Sequence, residues 1–169
     1  MIIGWWRGGA RWILGVFSLL AVAACATGAA TVRHSLEFDT RKDGQHAIVL
    51  DYRYGGSALP VRAPEWVVAE GRGIAFNAVG GPMARGDYLH VKWRDTETGQ
   101  VHEDNVDLRR RLPPDIADHV VYFMIRGVRL HVYLVSPEGV ARPPGMSSDG
   151  PRRYSQRKVV TLYPDTSRD

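Results

Sequence analysis

Cysteine is nearly absent from this sequence, because Cys25 is the single one among 169 residues. A chain with one thiol cannot form an intrachain disulfide, so a hydrophobic core must hold its fold without covalent cross-links. An unpaired cysteine in an exported chain is a reactive free thiol unless it is modified or paired with another chain. The residues around Cys25 are therefore the first place to look for the class of this protein.

The sequence also lacks close pairs of metal ligands and the common motifs of nucleophilic catalysis. No two of its 6 histidines lie nearer than twelve positions apart, whereas zinc sites usually draw on pairs such as His-x3-His or Cys-x2-Cys. A Gly-x-Ser-x-Gly elbow is absent too. We therefore expect no metal ion, no cofactor and no enzyme activity. A metal site assembled from distant strands and a cell-wall or lipid hydrolase are the alternatives.

A strong excess of one charge is missing as well. The chain has 22 Lys+Arg against 18 Asp+Glu. Cleavage of residues 1–24, argued below, removes Arg7 and Arg11 and leaves a net charge of about +2. Nucleic-acid-binding domains usually show a basic stripe or a recognisable module. Neither is present, so we expect no nucleic-acid partner.

The N-terminus carries a short basic region and then an apolar run from Ile13 to Ala24 that ends directly before Cys25. The length of this run suits the roughly 7–15 apolar residues of a secretory signal and falls short of the ~20 that span a bilayer as a helix. The pattern predicts a cleaved signal peptide and no permanent transmembrane helix.

The four residues Val22-Ala23-Ala24-Cys25 resemble the lipobox of bacterial lipoproteins, in which an aliphatic and two small residues precede the cysteine. The resemblance implies cleavage after residue 24 and lipidation of Cys25. Proteobacterial lipoproteins retained in the inner membrane carry Asp after the cysteine. Ala26 stands there instead, which implies an outer-membrane lipid anchor, and we expect the body to face the periplasm. The alternative is cleavage at Ala21-Val22-Ala23, which would leave Cys25 as a free thiol.

The chain after the signal peptide is close to the roughly 100–200 residues of one domain. We expect residues 25–33 to be a flexible lipidated tether and residues 34–169 to be a single β-rich domain. Turn signals are frequent, with Gly 18 and Pro 10, and no amphipathic helix of useful length is visible. Short alternating segments separated by turns predict an all-β fold, an antiparallel β-sandwich or open barrel with long Gly/Pro-rich loops.

Alternating or continuous apolar residues predict the individual strands. The predicted strands are 34–39, 46–54, 88–94, 100–108, 120–125, 128–135 and 157–163, with 66–69 and 74–77 as short additions in a looped stretch. The segment 136–154 contains four prolines and is predicted to be a long loop.

Two hairpins are predicted in more detail. The turn 95–99 joins two strands, and a register whose partners sum to 195 places Lys92 opposite Glu103 and Leu89 opposite Val106. The most hydrophobic hairpin turns at Arg126-Gly127, and we expect its strands at the centre of a sheet. On its second arm Val128 and alternate residues after it should face the core.

Binding is the remaining class of function. The cluster Arg109, Arg110 and Arg111 could bind an acidic patch on a protein partner, with a solvated strand end as the alternative. Aromatic residues on strands could line a carbohydrate platform, but the core is their favoured place. These aromatic residues are Tyr52, Tyr54, Trp66 and Trp93.

The whole chain is similar to small proteobacterial envelope lipoproteins. The similarity rests on the lipobox, the size and segments such as Gly86-Asp87-Tyr88-Leu89-His90-Val91-Lys92-Trp93. Among these lipoproteins, the chain resembles the immunity proteins of type VI secretion. This resemblance implies a periplasmic binding protein that neutralises a secreted antibacterial effector. The alternative is an accessory lipoprotein of an envelope assembly or secretion complex.

Overall fold

The computed structural model of the chain describes residues 30–56, 61–141 and 150–165. Cys25 and the rest of the predicted signal peptide lie outside the described residues, as does 142–149 within the predicted loop. Nine strands, one short helix and a 3-10 turn form the described part. Their bounds are β1 Thr31–Asp39, β2 Ala47–Tyr54, β3 Val61–Arg62, α1 Glu65–Ala69, β4 Phe76–Ala84, β5 Tyr88–Asp95, β6 Val101–Asp107, β7 Val120–Arg126, β8 Arg129–Gly139, the 3-10 turn Arg152–Tyr154 and β9 Arg157–Tyr163.

The strands form two sheets packed face to face. Sheet A has the order β4-β1-β7-β8-β9 and sheet B the order β3-β2-β5-β6. The β1–β7 pair is parallel and the other pairs are antiparallel. The predicted all-β sandwich is therefore confirmed, and the sheets do not close into a barrel.

The core between the sheets is built from alternate residues of each strand. Phe38 on β1 stacks on Phe123 of β7 at 4.5 Å between ring centroids, and Tyr52 of β2 meets Phe38 edge-on at 5.3 Å. Trp93 on β5 is 1% exposed. Burial of one large apolar side chain stabilises a fold by about 1.5–3 kcal/mol. These contacts hold the two sheets together without a disulfide.

The hairpin of β7 and β8 lies inside sheet A, as predicted, but its turn is one residue further along. Arg126 pairs with Arg129, so Gly127 and Val128 form the two-residue turn. Gly127 has a φ of 59°, the left-handed conformation that such a tight turn requires. The prediction that Val128 faces the core is wrong, because its side chain is 61% exposed at the tip.

The same two strands are also buried on their outer face. Tyr122 and Tyr133 point away from the sandwich core, yet Tyr154 and its neighbours cover them. The rings of Tyr122 and Tyr154 lie 5.6 Å apart, edge to face. The predicted loop 136–154 is thus partly ordered, since β8 continues to Gly139 and the turn Arg152–Tyr154 packs on the sheet.

Strand β2 carries a bulge that changes which residues face the core. The pairing with β5 shifts between Val49 and Asp51, so that Leu50 is an extra residue. At this bulge two residues of β2 lie opposite one residue of β5, which locally reverses the alternation of inward and outward side chains. Val49 is therefore in the core cluster and Ile48 is not, contrary to a simple period of two. Beyond the bulge, Tyr52 faces inward as predicted.

The looped stretch before β5 differs most from the sequence prediction. Residues 65–69 form the helix α1 and not a strand, because Pro64 begins a turn in which its carbonyl accepts hydrogen bonds from the N–H groups of Val67 and Val68. The strand β4 runs from Phe76 to Ala84 and is longer than the predicted strand 74–77, and it includes Gly80-Gly81-Pro82. Pro82 is tolerated there because β4 is an edge strand of sheet A.

The domain begins earlier than predicted. β1 starts at Thr31, so Thr31–Arg33 belong to the sheet and not to a flexible tether. Thr31 pairs with Ala84 of β4, which fixes this end of the chain at the edge of sheet A. In the described part of the chain, no helix is long and apolar enough to cross a membrane.

Candidate partner-binding groove on sheet B

The solvent-facing side of sheet B is made of polar side chains in alternation with the core residues. On β5, Leu89, Val91 and Trp93 face the core and are at most 1% exposed. The alternate residues Tyr88, His90 and Lys92 point to solvent and line a groove of about 350 Å³. The groove spans all four strands, and its residues are Asp51, Arg53, Arg62, Tyr88, His90, Lys92, Glu103 and Asn105.

One row of alternating charges crosses the sheet at the level of Lys92. Asp51 pairs with Arg62 on one side and Lys92 on the other, and Lys92 lies opposite Glu103. The predicted register summing to 195 is thus confirmed. An Arg62 guanidinium nitrogen lies 3.1 Å from the Asp51 carboxylate, and the Lys92 ammonium lies 3.6 Å from Glu103. Each charged side chain in this row therefore lies next to one of the opposite charge.

The next row contains Arg53, His90 and Asn105 at successive strand positions. The Nε2–H of His90 donates to the Glu103 carboxylate at 2.8 Å. This hydrogen bond is the largest cause that lowers the pKa of Glu103 below its ordinary value, ahead of the charges of His90 and Lys92. The Arg53 side chain is exposed and makes no hydrogen bond or ion pair with any described residue. The row therefore leaves one guanidinium available to a ligand.

Two further depressions extend the groove at opposite corners. One, of about 320 Å³, lies between sheet B and α1 and shares Asp51, Arg62 and Lys92 with the groove. Its other lining residues are Leu50, Ala63, Glu65 and Val68. We call it the α1 end.

The other depression, of about 400 Å³, shares Tyr88 and Asn105 with the groove and adds Asp87, Asp107 and Arg109. We call it the Asp107 end. The two ends and the central groove form one oblique channel, which runs from α1 beside β3 to the last residues of β6. We use the term groove for all three parts.

The three predicted partner-binding arginines do not form one basic patch. Arg109 makes two hydrogen bonds to Asp107, at 3.0 and 2.6 Å, which with the backbone N–H of Arg109 lower the pKa of Asp107 to about 2. Arg111 pairs with Asp165 and donates to the Leu162 carbonyl at 2.6 Å, tying this loop to the end of β9. Arg110 is exposed and makes no side-chain hydrogen bond or ion pair with any described residue, although its charge adds to the lowering of the pKa of Asp107. Of the three, Arg109 alone lines the groove.

The predicted place of the aromatic residues is confirmed for three of them. Tyr52, Tyr54 and Trp93 are at most 1% exposed, so they build the core and not a carbohydrate platform. Trp66 differs, since it is 62% exposed on α1, with the Arg72 guanidinium 5.6 Å from its ring centroid.

The histidines are dispersed over the fold. His34 is buried, His90 lies in the groove, and His131 lies on the outer face of sheet A beside Tyr133. Burial lowers the pKa values of His34 and His131, with Arg126 and Arg129 adding to the effect at His131. Within residues 30–56, 61–141 and 150–165, no three His, Cys, Asp or Glu side chains could hold a metal ion.

The alternation within single strands is enough to place several groove residues outward, but it does not bring them together. It puts Asp51 and Arg53 on the outer face of β2 and His90 and Lys92 on that of β5. The missing step was the pairing of β2 with β5, which lie far apart in the sequence. The signal that could have found the groove is the charge alternation of Asp51, Lys92 and Glu103 once those strands are aligned.

Comparison of the chain with known protein families, with curated proteins and with solved structures found no match. The groove and the N-terminal sequence therefore carry the functional argument.

Proposed function

We propose that this chain is a lipid-anchored periplasmic binding protein that neutralises a secreted antibacterial effector by holding it in the sheet B groove. The observation that carries the proposal is the groove itself, with its ordered charges on a rigid sheet. The lipobox resemblance at Cys25 supports the anchored location, on the outer membrane and facing the periplasm.

The groove is well suited to recognise a protein because its side chains are already held in place. Asp51, Lys92 and Glu103 are fixed by ion pairs across the strands, and the strands are fixed by the core beneath. A site organised before binding loses little conformational entropy when the partner arrives. Mixed charge of both signs favours one partner over others, since a wrong partner brings like charges together.

The position of the groove relative to the start of β1 is compatible with partner binding by an anchored protein. Thr31, the first residue of β1, pairs with Ala84, and β5 begins a few residues later at Tyr88. The Asp107 end of the groove therefore lies towards the N-terminal attachment, and the α1 end lies towards the far end of the sandwich. In the proposed anchored protein, the α1 end is thus the part of the groove farther from Thr31 and the most accessible to a periplasmic partner.

The proposal can be tested in the cells that carry the gene. Deletion should make them sensitive to attack by sibling cells that secrete the effector, and wild-type protein should restore resistance. Arg53→Glu should fail to restore it, because it reverses the charge in the central groove that has no partner among the described residues. Arg33→Glu is the matched control, since Arg33 is an exposed strand arginine on sheet A.

Three results would overturn the proposal. The first is undiminished resistance of the deletion strain together with pull-downs from the envelope that contain no toxin. The second is full protection by Arg53→Glu, which would move the contact away from the groove. The third is co-purification with a membrane complex in cells that have no effector gene, which would favour an accessory role in envelope assembly.

A further inference from the structure

The groove changes in chemical character from one corner to the other. At the α1 end, Leu50, Ala63 and Val68 contribute apolar surface, and the carboxylates of Asp51 and Glu65 balance the cations of Arg62 and Lys92. This end is neutral and suits an apolar side chain.

The centre of the groove carries one excess positive charge. Its three cations are Arg53, Arg62 and Lys92, and its two carboxylates are Asp51 and Glu103. Since Arg62 and Lys92 are paired across the strands, the excess resides on Arg53. The guanidinium of arginine binds a carboxylate through two parallel hydrogen bonds. Tyr88 and Asn105 line the same depression and can hydrogen-bond to that carboxylate.

The Asp107 end carries one excess negative charge. Arg109 neutralises Asp107, and Asp87 is the second carboxylate of this depression. A cationic side chain is the complement of this end.

We propose that the groove recognises an extended segment of the protein partner that presents, in order, an apolar, an acidic and a basic side chain. The acidic side chain binds Arg53, the apolar one occupies the α1 end, and the basic one lies at Asp87. This inference rests on the proposed function, because it takes the groove as the contact surface for the effector.

The dimensions of the groove fit such a segment. Lys92 to Tyr88 covers about 13 Å along β5, and the three spacings between the four strands add about 14 Å across the sheet, so the diagonal is roughly 19 Å. Alternate residues of an extended chain point the same way and lie about 7 Å apart. Backbone positions one and five therefore span about 14 Å, and the lengths of the two outer side chains make up the remainder. The single carboxylate at position three matches Arg53, the one cation of the central groove that has no partner among the described residues.

The experiment uses the purified full-length chain in detergent and three acetylated, amidated pentapeptides observed by NMR. The first has leucine, glutamate and lysine at positions one, three and five, separated by threonines. The second exchanges glutamate and lysine, and the third replaces glutamate by glutamine. We expect the first to bind at least about fivefold more tightly than the others, with shifts at Arg53, His90 and Tyr88.

The variants and an anion control decide the outcome. Arg53→Gln should abolish the preference for glutamate, while Arg33→Gln should leave it unchanged. Equal binding of the three peptides would overturn the proposed order of side chains. Stronger response of Arg53 to inorganic phosphate than to the first peptide would overturn it in favour of a phosphate site. The sibling-attack assay uses no peptide, so loss of protection in Arg53→Glu with equal peptide binding would retain the proposed function and reject this segment.

Discussion

The buried imidazole of His34 lies 3.1 Å from the hydroxyl oxygen of Tyr54, between the two sheets. Its Nδ1–H donates to the Val32 carbonyl at 2.8 Å, so Nε2 accepts the hydrogen bond from Tyr54. Nδ1 already carries its proton, and a second proton on Nε2 would place a positive charge in the buried space between the sheets. Burial accordingly lowers the pKa of His34 and raises that of Tyr54 to about 12.

This arrangement predicts that the domain becomes less stable in weak acid. His34 is protonated in the unfolded chain below pH ~6.5, but the folded state resists the proton. The free energy of unfolding should therefore fall as the pH drops below about 6.5 towards the lowered pKa of His34. His131 contributes in the same direction, because its pKa is lowered as well.

Urea unfolding between pH 7.5 and 5 provides the measurement. His34→Gln keeps one donor and one acceptor at this position, so it should weaken the pH dependence even if it lowers stability. His119→Gln is the control, because His119 lies in the connection before β7 and its ring hydrogen-bonds locally to the Ala117 carbonyl. A steep acid loss that is the same in wild type and His34→Gln would contradict the assignment.

The sequence pattern predicts that Val128 faces the core, whereas the structure exposes it at the turn of the β7–β8 hairpin, and two substitutions test this difference. Phe123 is fully buried and stacks on Phe38. Phe123→Ala should therefore cost about 3–5 kcal/mol, by lost burial and a cavity. Val128→Ala should change stability by less than about 0.5 kcal/mol, as for an ordinary surface site. Chemical denaturation measures both, and a loss of several kcal/mol in Val128→Ala would restore it to the core.

The strand pattern could be predicted because most strands here carry apolar residues at alternate positions. β9 is predicted residue for residue, and the β5–β6 register follows from the turn 95–99. The pairing of distant strands could not be predicted. The alternation of apolar and polar residues shows which face of a strand is buried, but it does not show which other strand lies next to it in the sheet. The β2 bulge had no local signal either, since Val49 and Leu50 are both apolar and either could face inward.

The candidate site was harder to predict than the fold for the same reason. Arg53, His90 and Glu103 come from three strands and are ordinary surface residues when each strand is considered alone. The basic cluster Arg109–Arg111 was visible in the sequence, but the carboxylates of Asp107 and Asp165 neutralise two of its members. Asp165 is distant in the sequence, so its pairing with Arg111 has no local signature.

The close approach of Gly86 to Tyr54 predicts a position where only glycine fits. A Cβ on Gly86 would lie 2.5 Å from a carbon of the Tyr54 ring, which is buried and cannot move aside. Gly86→Ala should therefore destabilise the domain by about 1–3 kcal/mol, as overpacking of a core does. Gly56→Ala is the matched control, because nothing lies within 4 Å of its Cβ position. Equal stability of the two variants in urea would show that Tyr54 is not packed against Gly86.

The pair of His90 and Glu103 predicts a specific change in titration within the groove. His90→Ala removes the hydrogen-bond donor that lowers the pKa of Glu103 most. The pKa of Glu103 should rise towards its ordinary value, which ¹³C NMR of the carboxyl carbon records. His46→Ala serves as the control, because His46 lies near Glu97 and not near Glu103. An unchanged Glu103 titration in His90→Ala would mean that the two side chains do not meet in solution.

The last prediction concerns Cys25, which the sequence assigns to lipid attachment. Among the described residues, the first strand is β1 at Thr31, and the first residue that packs against the core is Val32. Cys25→Ser should therefore release the protein from the membrane fraction while its thermal unfolding stays like that of the wild type. Cell fractionation and circular dichroism measure the two properties separately. Ala26→Ser is the control, since it keeps the lipobox cysteine and should remain in the membrane fraction. Membrane attachment of Cys25→Ser would contradict lipidation there, and loss of folding would show that residues before β1 belong to the domain.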